Sequence, residues 1–488
     1  MSRESSGSPT SGRGGGSGRF DLVLSTLGTL TGGAVRFLYN VVVGNVRGPA
    51  FLGVVGSALS TAMFAAVVYP QAVATAATTF VSRAGGRTDD EKDPPEAVAW
   101  YLAKHLVLVA VAVGAGAGVA AWLLTRRGPT FALVTGLLTV AYSAYIFGRS
   151  VQFATYRARR AVFADVVSGL VALTLLALVL VQELDDLVLL PLALGYGAAA
   201  ALTWPRRSGP ISRELRTELR RFVAIGSVGA VASGGFLQLS MVAAKLLGTS
   251  EDAGLYAAAL SIATPLSMIS TAIAMVVVPA MGAAVGRSDV TGFRQVVDRA
   301  ARGVSALALA GFGTIAALSP VLVAVFYPDG YGGAVPLLAV LAAAMLCLTS
   351  RMPVTNALAV RSPAGIRTTT TVSLAATLLG IAVWSAAGPH FGVAAVALGV
   401  LAGNVLALVW LTLAVARQES MNWLFPALRH GIVLLLAVAL SALVALVDLS
   451  RAASIGATLV YLVLWFALVG VPDRAAVLGL LGSGRGRV

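Results

Sequence analysis

Charge is scarce in this sequence. Asp, Glu, Lys and Arg make up 11% of its 488 residues, where soluble proteins carry about 25%. That excludes a soluble enzyme, a disordered chain and a nucleic-acid-binding module. Cysteine is scarcer still. Cys347 stands alone, so there is no internal disulfide and no cysteine metal cluster. The three histidines, His105, His390 and His430, are scattered and suggest no metal site. Phosphate-cradling loops and dinucleotide fingerprints are not evident, and no cofactor is expected. Acidic residues inside apolar segments are missing too. All 21 fall in tails, loops or segment ends, with Asp165 the deepest.

What remains is apolar. Hydrophobic residues reach 58%, and Gly adds 53 positions. A membrane span needs about 20 apolar residues. By that test the chain holds fourteen candidates, near 22–43, 50–81, 97–124, 130–153, 162–181, 187–204, 222–247, 253–284, 304–325, 334–358, 369–387, 391–416, 432–447 and 453–471. The net charge of +14 then reads as orientation. With the N-terminus inside, 28 of the 35 Lys and Arg fall in inner segments, four in outer loops and three (Arg36, Lys104, Lys245) within spans. This asymmetry places both termini in the cytoplasm.

The chain repeats at an offset near 200 residues. Gly53 matches Gly254, Ala58-Leu59-Ser60 matches Ala259-Leu260-Ser261, and the pair Arg149 and Arg159 matches Arg351 and Arg361. The expected architecture is an all-α polytopic membrane protein. Residues 1–19 are a Ser/Gly-rich tail, 20–204 a first six-helix lobe, and 205–221 a basic linker. Residues 222–416 form a second lobe, and 417–488 two further helices with the tail. Ile211, Leu215 and Leu219 share one face of a short helix in the linker. That face is expected to lie on the anionic inner surface. Repeats of this kind are common in transporters, with the substrate site between the halves.

The first span carries the clearest signal. Ser25, Thr29, Gly33, Arg36, Asn40, Gly44 and Arg47 recur in steps of three and four, which is one helical face. A polar stripe along a span faces other helices or water, not lipid. Arg36 lies roughly 21 Å along the axis from Leu22 at the inner end, with no carboxylate in the same span to neutralise it. The functional reading is that it meets an anionic substrate; the plain one is a snorkelling side chain. Tyr142, Tyr145, Arg149, Gln152 and Tyr156 share a face of the fourth span. Arg with Tyr suits phosphate or sugar contact, and an interfacial belt is the alternative. Arg351 repeats the Arg149 position. Gln238 is a polar group in the seventh span. Lys104 either binds a cavity anion or snorkels inward. Missing carboxylates with buried positive charge favour an anion as cargo, since ion-coupled pumps place acids within the membrane.

Two stretches carry a family likeness. The opening FLYNVVVGNVRGPAFLGVVGSALS followed by PQAVATAATTFVSRAGG resembles the start of bacterial polysaccharide flippases. These belong to the multidrug/oligosaccharidyl-lipid/polysaccharide exporter superfamily. AAKLLGTSEDAGLYAAALSIATPLSMISTAIAMVVVPAMG, over 243–282, is similar to that family's second repeat. The resemblance implies two six-helix bundles in a pseudo-two-fold V with an alternating-access cavity between them. It also implies undecaprenyl-diphosphate-linked oligosaccharide as cargo in the cytoplasmic membrane. Membrane lipids and a glycan polymerase or ligase would be partners, and nucleic acid would not. In related flippases of lipid-linked peptidoglycan precursors a first-helix Arg lines the cavity, and Arg36 looks like its counterpart. Two helices beyond twelve also occur there. Some exporters carry an Asp midway along the seventh helix; this chain has Gln238 or Ser240.

The candidate substrate residues are thus Arg36, Asn40, Lys104, Tyr145, Arg149, Gln152, Gln238 and Arg351. A multidrug cation antiporter of the same fold would need a buried acid. A membrane glycosyltransferase would need catalytic residues on a sizeable loop, and the loops here are short. A non-transporting scaffold would have no need of the polar stripe.

Overall fold

The computed structural model describes residues 17–85, 93–447 and 451–482, with side chains from Thr31 onward. The tail and the inner loop around Arg87 lie outside the described residues. So do the side chains of Ser25 and Thr29. Among the described residues there are helices and connecting turns and no strand.

The chain starts with α1, Ser17–Val68, which contains two of the expected spans. They join at Gly48, whose φ of 78° lies in the left-handed region, followed by Pro49. Gly adopts that angle without steric cost, and Pro cannot continue the helix before it. The expected kink at Pro70 is present. α1 stops at Val68 and α2 (Pro70–Ala76) restarts there, passing through a wide turn at Ala77–Val81 into α3 (Ser82–Gly85). The rest of the first lobe is α4 (Pro95–Thr125), α5 (Pro129–Ala154), α6 (Ala158–Val181) and α7 (Leu190–Thr203). Pro stands at the start of α4 and α5, where its missing N–H costs nothing.

The second lobe repeats this order with α8 (Arg213–Leu247), α9 (Ser250–Gly286), α10 (Val290–Ala317) and α11 (Ser319–Phe326). It continues with α12 (Ala334–Ser350), α13 (Met352–Arg361), α14 (Pro363–Phe391) and α15 (Val393–Gln418). Then come α16 (Leu424–Val447), α17 (Arg451–Trp465) and α18 (Arg474–Gly482). Ten of these helices are long and apolar enough to cross a membrane, or eleven counting a pair that bends by 48° between Ala232 and Gly234. α1 counts once there, although it holds two spans. The architecture is the expected polytopic helical one.

The basic linker differs from expectation. It is no separate surface helix, because α8 begins at Arg213 and continues into the seventh span, bending only at Ala232–Gly234. Ser212 caps it and is itself held by Asp93, whose Oδ1 accepts from the Ser212 N–H at 2.6 Å. Ile211 and Leu219 are buried in a cluster with Ala72, Phe80, Leu102 and Phe147 of the first lobe. Burial against Phe80 outcompetes the lipid surface, and Phe222 meets the Phe80 ring edge-to-face at 5.2 Å.

The lobes meet most tightly at the end bearing loops 44–50 and 248–254, the outer end by the charge count. The matched glycines of the repeat face each other there. A Cβ at Gly53 would lie 2.0 Å from the Ser250 carbonyl oxygen, and one at Gly254 1.8 Å from that of Pro49. Asn45 donates to the Phe326 carbonyl at 2.7 Å, and the Tyr331 hydroxyl to that of Gly44 at 3.0 Å. The cavity below is therefore sealed on this side.

The C-terminal helices dock on α10. Tyr461 donates to the Leu309 carbonyl at 2.6 Å and Trp465 to that of Ala306 at 2.9 Å. Asp473, fully buried, accepts from Arg302 at 2.7 Å and contacts His430 at 2.9 Å and Arg429 at 3.5 Å. Burial alone pushes its carboxyl up, but the hydrogen bonds from His430 and Arg302 hold it below the ordinary 3.8. Its contribution to stability is thus present above that value and lost as pH falls through the lower folded one. Replacing Asp473 with Asn leaves the guanidinium groups of Arg302 and Arg429 around a neutral amide. The expected loss is about 2–3 kcal/mol, since the cations are partly solvated. It is read as a lower unfolding midpoint in detergent; a wild-type midpoint contradicts the anchoring role.

Candidate functional site

Of the described first-span stripe, Gly33, Arg36, Asn40 and Gly44 face the second lobe, whereas Arg47 pairs with Asp185 at 3.0 Å and Glu183 at 3.7 Å in the first lobe. Gly33, Arg36, Phe37 and Asn40 line a cavity of about 650 Å³ together with Gly56, Leu59, Ser60 and Met63 further along α1. The opposite wall comes from α8 and α9 and includes Gln238, Met241, Ser261, Thr264 and Met268. The repeat explains this pairing. At an offset of 201, Gly56 corresponds to Ala257, Leu59 to Leu260, Ser60 to Ser261 and Met63 to Thr264, and all eight line this one cavity. It therefore lies across the pseudo-two-fold axis. The charge does not follow the symmetry. By the same offset Arg36 faces the counterpart Leu237, and Asn40 the counterpart Met241. The first lobe alone supplies the cation.

Arg36 reaches the Gly32 carbonyl at 3.4 Å and the Met63 sulfur at 3.4 Å. It forms no ion pair with any described carboxylate. Asn40 has a buried side-chain oxygen with no partner. Met268 passes over Gly33, where a Cβ would lie 2.1 Å from its sulfur. Together Met268 and Arg36 separate the first cavity from a second of about 710 Å³. The second is lined by Gln71, Tyr142, Tyr145, Arg149 and Tyr196. The Tyr145 and Tyr196 rings stack at 4.9 Å and Tyr142 meets Tyr196 at 5.1 Å. The result is an aromatic wall with an arginine at each end.

Arg149 is not an isolated charge. Its Nε lies 3.1 Å from Asp165 Oδ2, and Tyr145 donates to Asp165 Oδ1 at 2.7 Å. Asp165 is buried behind them, with 2% of its surface exposed. The expectation that the chain holds no buried carboxylate is overturned here. Asp165 lies at the inner end of α6, as its position implied, but neighbouring helices cover it. Glu419 and Asp473 are buried as well, each among basic side chains.

Of the eight candidate residues, the structure brings Arg36, Asn40, Gln238, Tyr145 and Arg149 to these two cavities. Three lie elsewhere. Lys104 is exposed on α4 with its ammonium 5.5 Å from the Trp100 ring, the snorkelling arrangement. Gln152 is buried and donates to the Thr203 carbonyl at 2.9 Å, beside a different cavity. Arg351 is buried at the break between α12 and α13 and lines neither cavity. Helical periodicity placed Gln152 on the Arg149 face, but one turn nearer the inner end a different helix covers that face. Tyr196 was missed. Its only signal was being the lone aromatic in the Ala/Gly-rich α7.

No family model and no curated protein matches the chain. Solved structures do. One is lipid II flippase MurJ in an inward closed conformation, at 11% identity, 93% of this chain, 99% of that one and a TM-score of 0.67. Another is an inward-facing multidrug resistance MATE family transporter of the MOP superfamily, at 15% identity, 81% and 94% coverage, and 0.63. A third is a MOP superfamily transporter from Pyrococcus furiosus whose reversed pocket polarity suggests a different function, at 15% identity, 82% and 95% coverage, and 0.56. At these identities the likeness is one of fold.

Proposed function

We propose that this protein is a flippase that carries an undecaprenyl-diphosphate-linked oligosaccharide from the inner to the outer leaflet of a bacterial cytoplasmic membrane. It works by alternating access, with both termini in the cytoplasm, and no covalent bond is made or broken. The supporting observation is Arg36, a cation without a carboxylate partner in a cavity between the two lobes. A guanidinium holds phosphate oxygens in a fork that no neutral group matches. The unpartnered oxygen of Asn40 suits a glycan hydroxyl. The aromatic wall of Tyr142, Tyr145 and Tyr196 suits a sugar face. An inside-negative potential favours an anion leaving the cytoplasm by about 2.3 kcal/mol per charge per 100 mV. The fold likeness agrees: the flippase structure covers 93% of this chain and the MATE transporter 81%.

Asp165 favours a second reading, a multidrug cation antiporter. A buried acid beside the cavity is what cation exchange needs. The two readings part on Asp165→Asn. In the flippase, Arg149 loses its competitor, and binding of a polyprenyl diphosphate tightens about tenfold, about 1.4 kcal/mol. In the antiporter, proton-driven cation efflux from proteoliposomes stops. Wild-type efflux of cationic drugs that the variant loses would replace the flippase reading.

A further inference from the structure

A third cavity, of about 1,270 Å³, lies at the inner end of the first lobe, apart from the two described above. Its basic side chains are Arg157 and Arg160 at the start of α6 and Arg206 just beyond α7. Arg160 is aimed by a hydrogen bond from its Nε to the Leu202 carbonyl at 2.8 Å. Among the described residues, the exposed Glu96 is the one carboxylate lining it. α6 starts at this rim with no side-chain cap, so its positive end adds to the field. Trp204 and Tyr156 flank the opening. Tyr156 is 84% exposed at a φ of 55°, a left-handed angle that costs a bulky residue energy. Trp, Tyr and Arg together mark the headgroup level of a bilayer.

Gln152 supplies the independent observation. It lines this cavity and is only 4% exposed. Its nitrogen is held by the Thr203 carbonyl, and its oxygen has no partner. A buried acceptor left unpaired is costly, and the group that satisfies it must be a donor. The cavity thus offers three guanidinium groups for a phosphate and one acceptor for a hydroxyl.

We propose that this cavity binds the headgroup of an anionic phospholipid that carries both a phosphate and a hydroxyl, of the phosphatidylglycerol type. The phosphate meets Arg157, Arg160 and Arg206, and the headgroup hydroxyl donates to Gln152. The bound lipid braces the α5–α6 turn, about two helical turns from Arg149.

The test is native mass spectrometry of the full-length protein in detergent. It is titrated separately with phosphatidylglycerol, phosphatidic acid, phosphatidylethanolamine and a polyprenyl diphosphate. Phosphatidylglycerol is expected to bind in preference to phosphatidylethanolamine. The triple variant Arg157→Ala/Arg160→Ala/Arg206→Ala lowers that affinity at least about tenfold, and the triple Lys variant retains most of it. Gln152→Leu removes the preference for phosphatidylglycerol over phosphatidic acid, which lacks the hydroxyl. An unchanged unfolding midpoint confirms that the variants fold. Equal phosphatidylglycerol binding by wild type and the triple Ala variant overturns the proposal. So does a triple variant that loses only polyprenyl diphosphate, which would make the cavity part of the transport path.

Discussion

Arg36→Ala abolishes translocation of a polyprenyl-diphosphate glycan while the protein still inserts and folds. The size follows from what the guanidinium offers. A hydrogen bond to a charged group contributes about 1.5–3 kcal/mol, and a forked contact makes two. Losing both costs at least about 3 kcal/mol, more than a hundredfold in binding. Arg149 does not compensate, because Asp165 already holds it at 3.1 Å. Nor does the second lobe, whose counterpart of Arg36 is Leu237. Arg36→Lys keeps the charge and loses the fork, so it retains a fraction of activity. Folding does not depend on Arg36, which has no ion pair to break. The check is the flip rate of a labelled polyprenyl-diphosphate sugar in proteoliposomes, beside the unfolding midpoint. Wild-type rates in the Ala variant would remove Arg36 from the site.

Gly254→Val opens the outer seal. A Cβ there would lie 1.8 Å from the Pro49 carbonyl oxygen, and backbone on both sides leaves no side chain to give way. Forcing bulk into such a contact costs about 1–3 kcal/mol. That cost falls on the outer-closed state alone, because separating the lobes relieves it. The balance between states shifts by about 5–150-fold toward the outer-open form. A cysteine introduced at Ala253, fully buried beside Gly254 in the outer-closed state, reports the shift. Its labelling by an impermeant maleimide from outside rises several-fold, while the buried native Cys347 stays silent. Transport falls with it. Unchanged labelling would mean that the glycine contact is no gate.

Much of this arrangement can be read from the residues. Span length, the Pro and Gly breaks and the offset repeat each rest on local physics, and most helices lie near where these put them, although the expected spans 304–325 and 334–358 are each broken, at Leu318 and Arg351. The matched Gly53 and Gly254 turn out to be the point where the lobes touch. The polar stripe gave the direction in which Arg36 faces, because a charged face in a bilayer has few places to go. What periodicity cannot supply is the identity of the neighbour. Arg149 and Gln152 share a face by spacing, yet α6 supplies Asp165 to one and α7 supplies a carbonyl to the other. Asp165 looked peripheral because depth along one helix says nothing of the helices around it. The linker's apolar face was legible, but not that Phe80 and Leu102 of the first lobe would cover it.

The most direct test of the central claim uses lipids extracted from cells depleted of this protein. Mass spectrometry is expected to find one polyprenyl-diphosphate oligosaccharide accumulating. Restoring the wild-type protein should clear it, and restoring Arg36→Ala should not. No accumulating lipid-linked glycan, together with new sensitivity to cationic drugs, would contradict the flippase account and leave the antiporter built around Asp165.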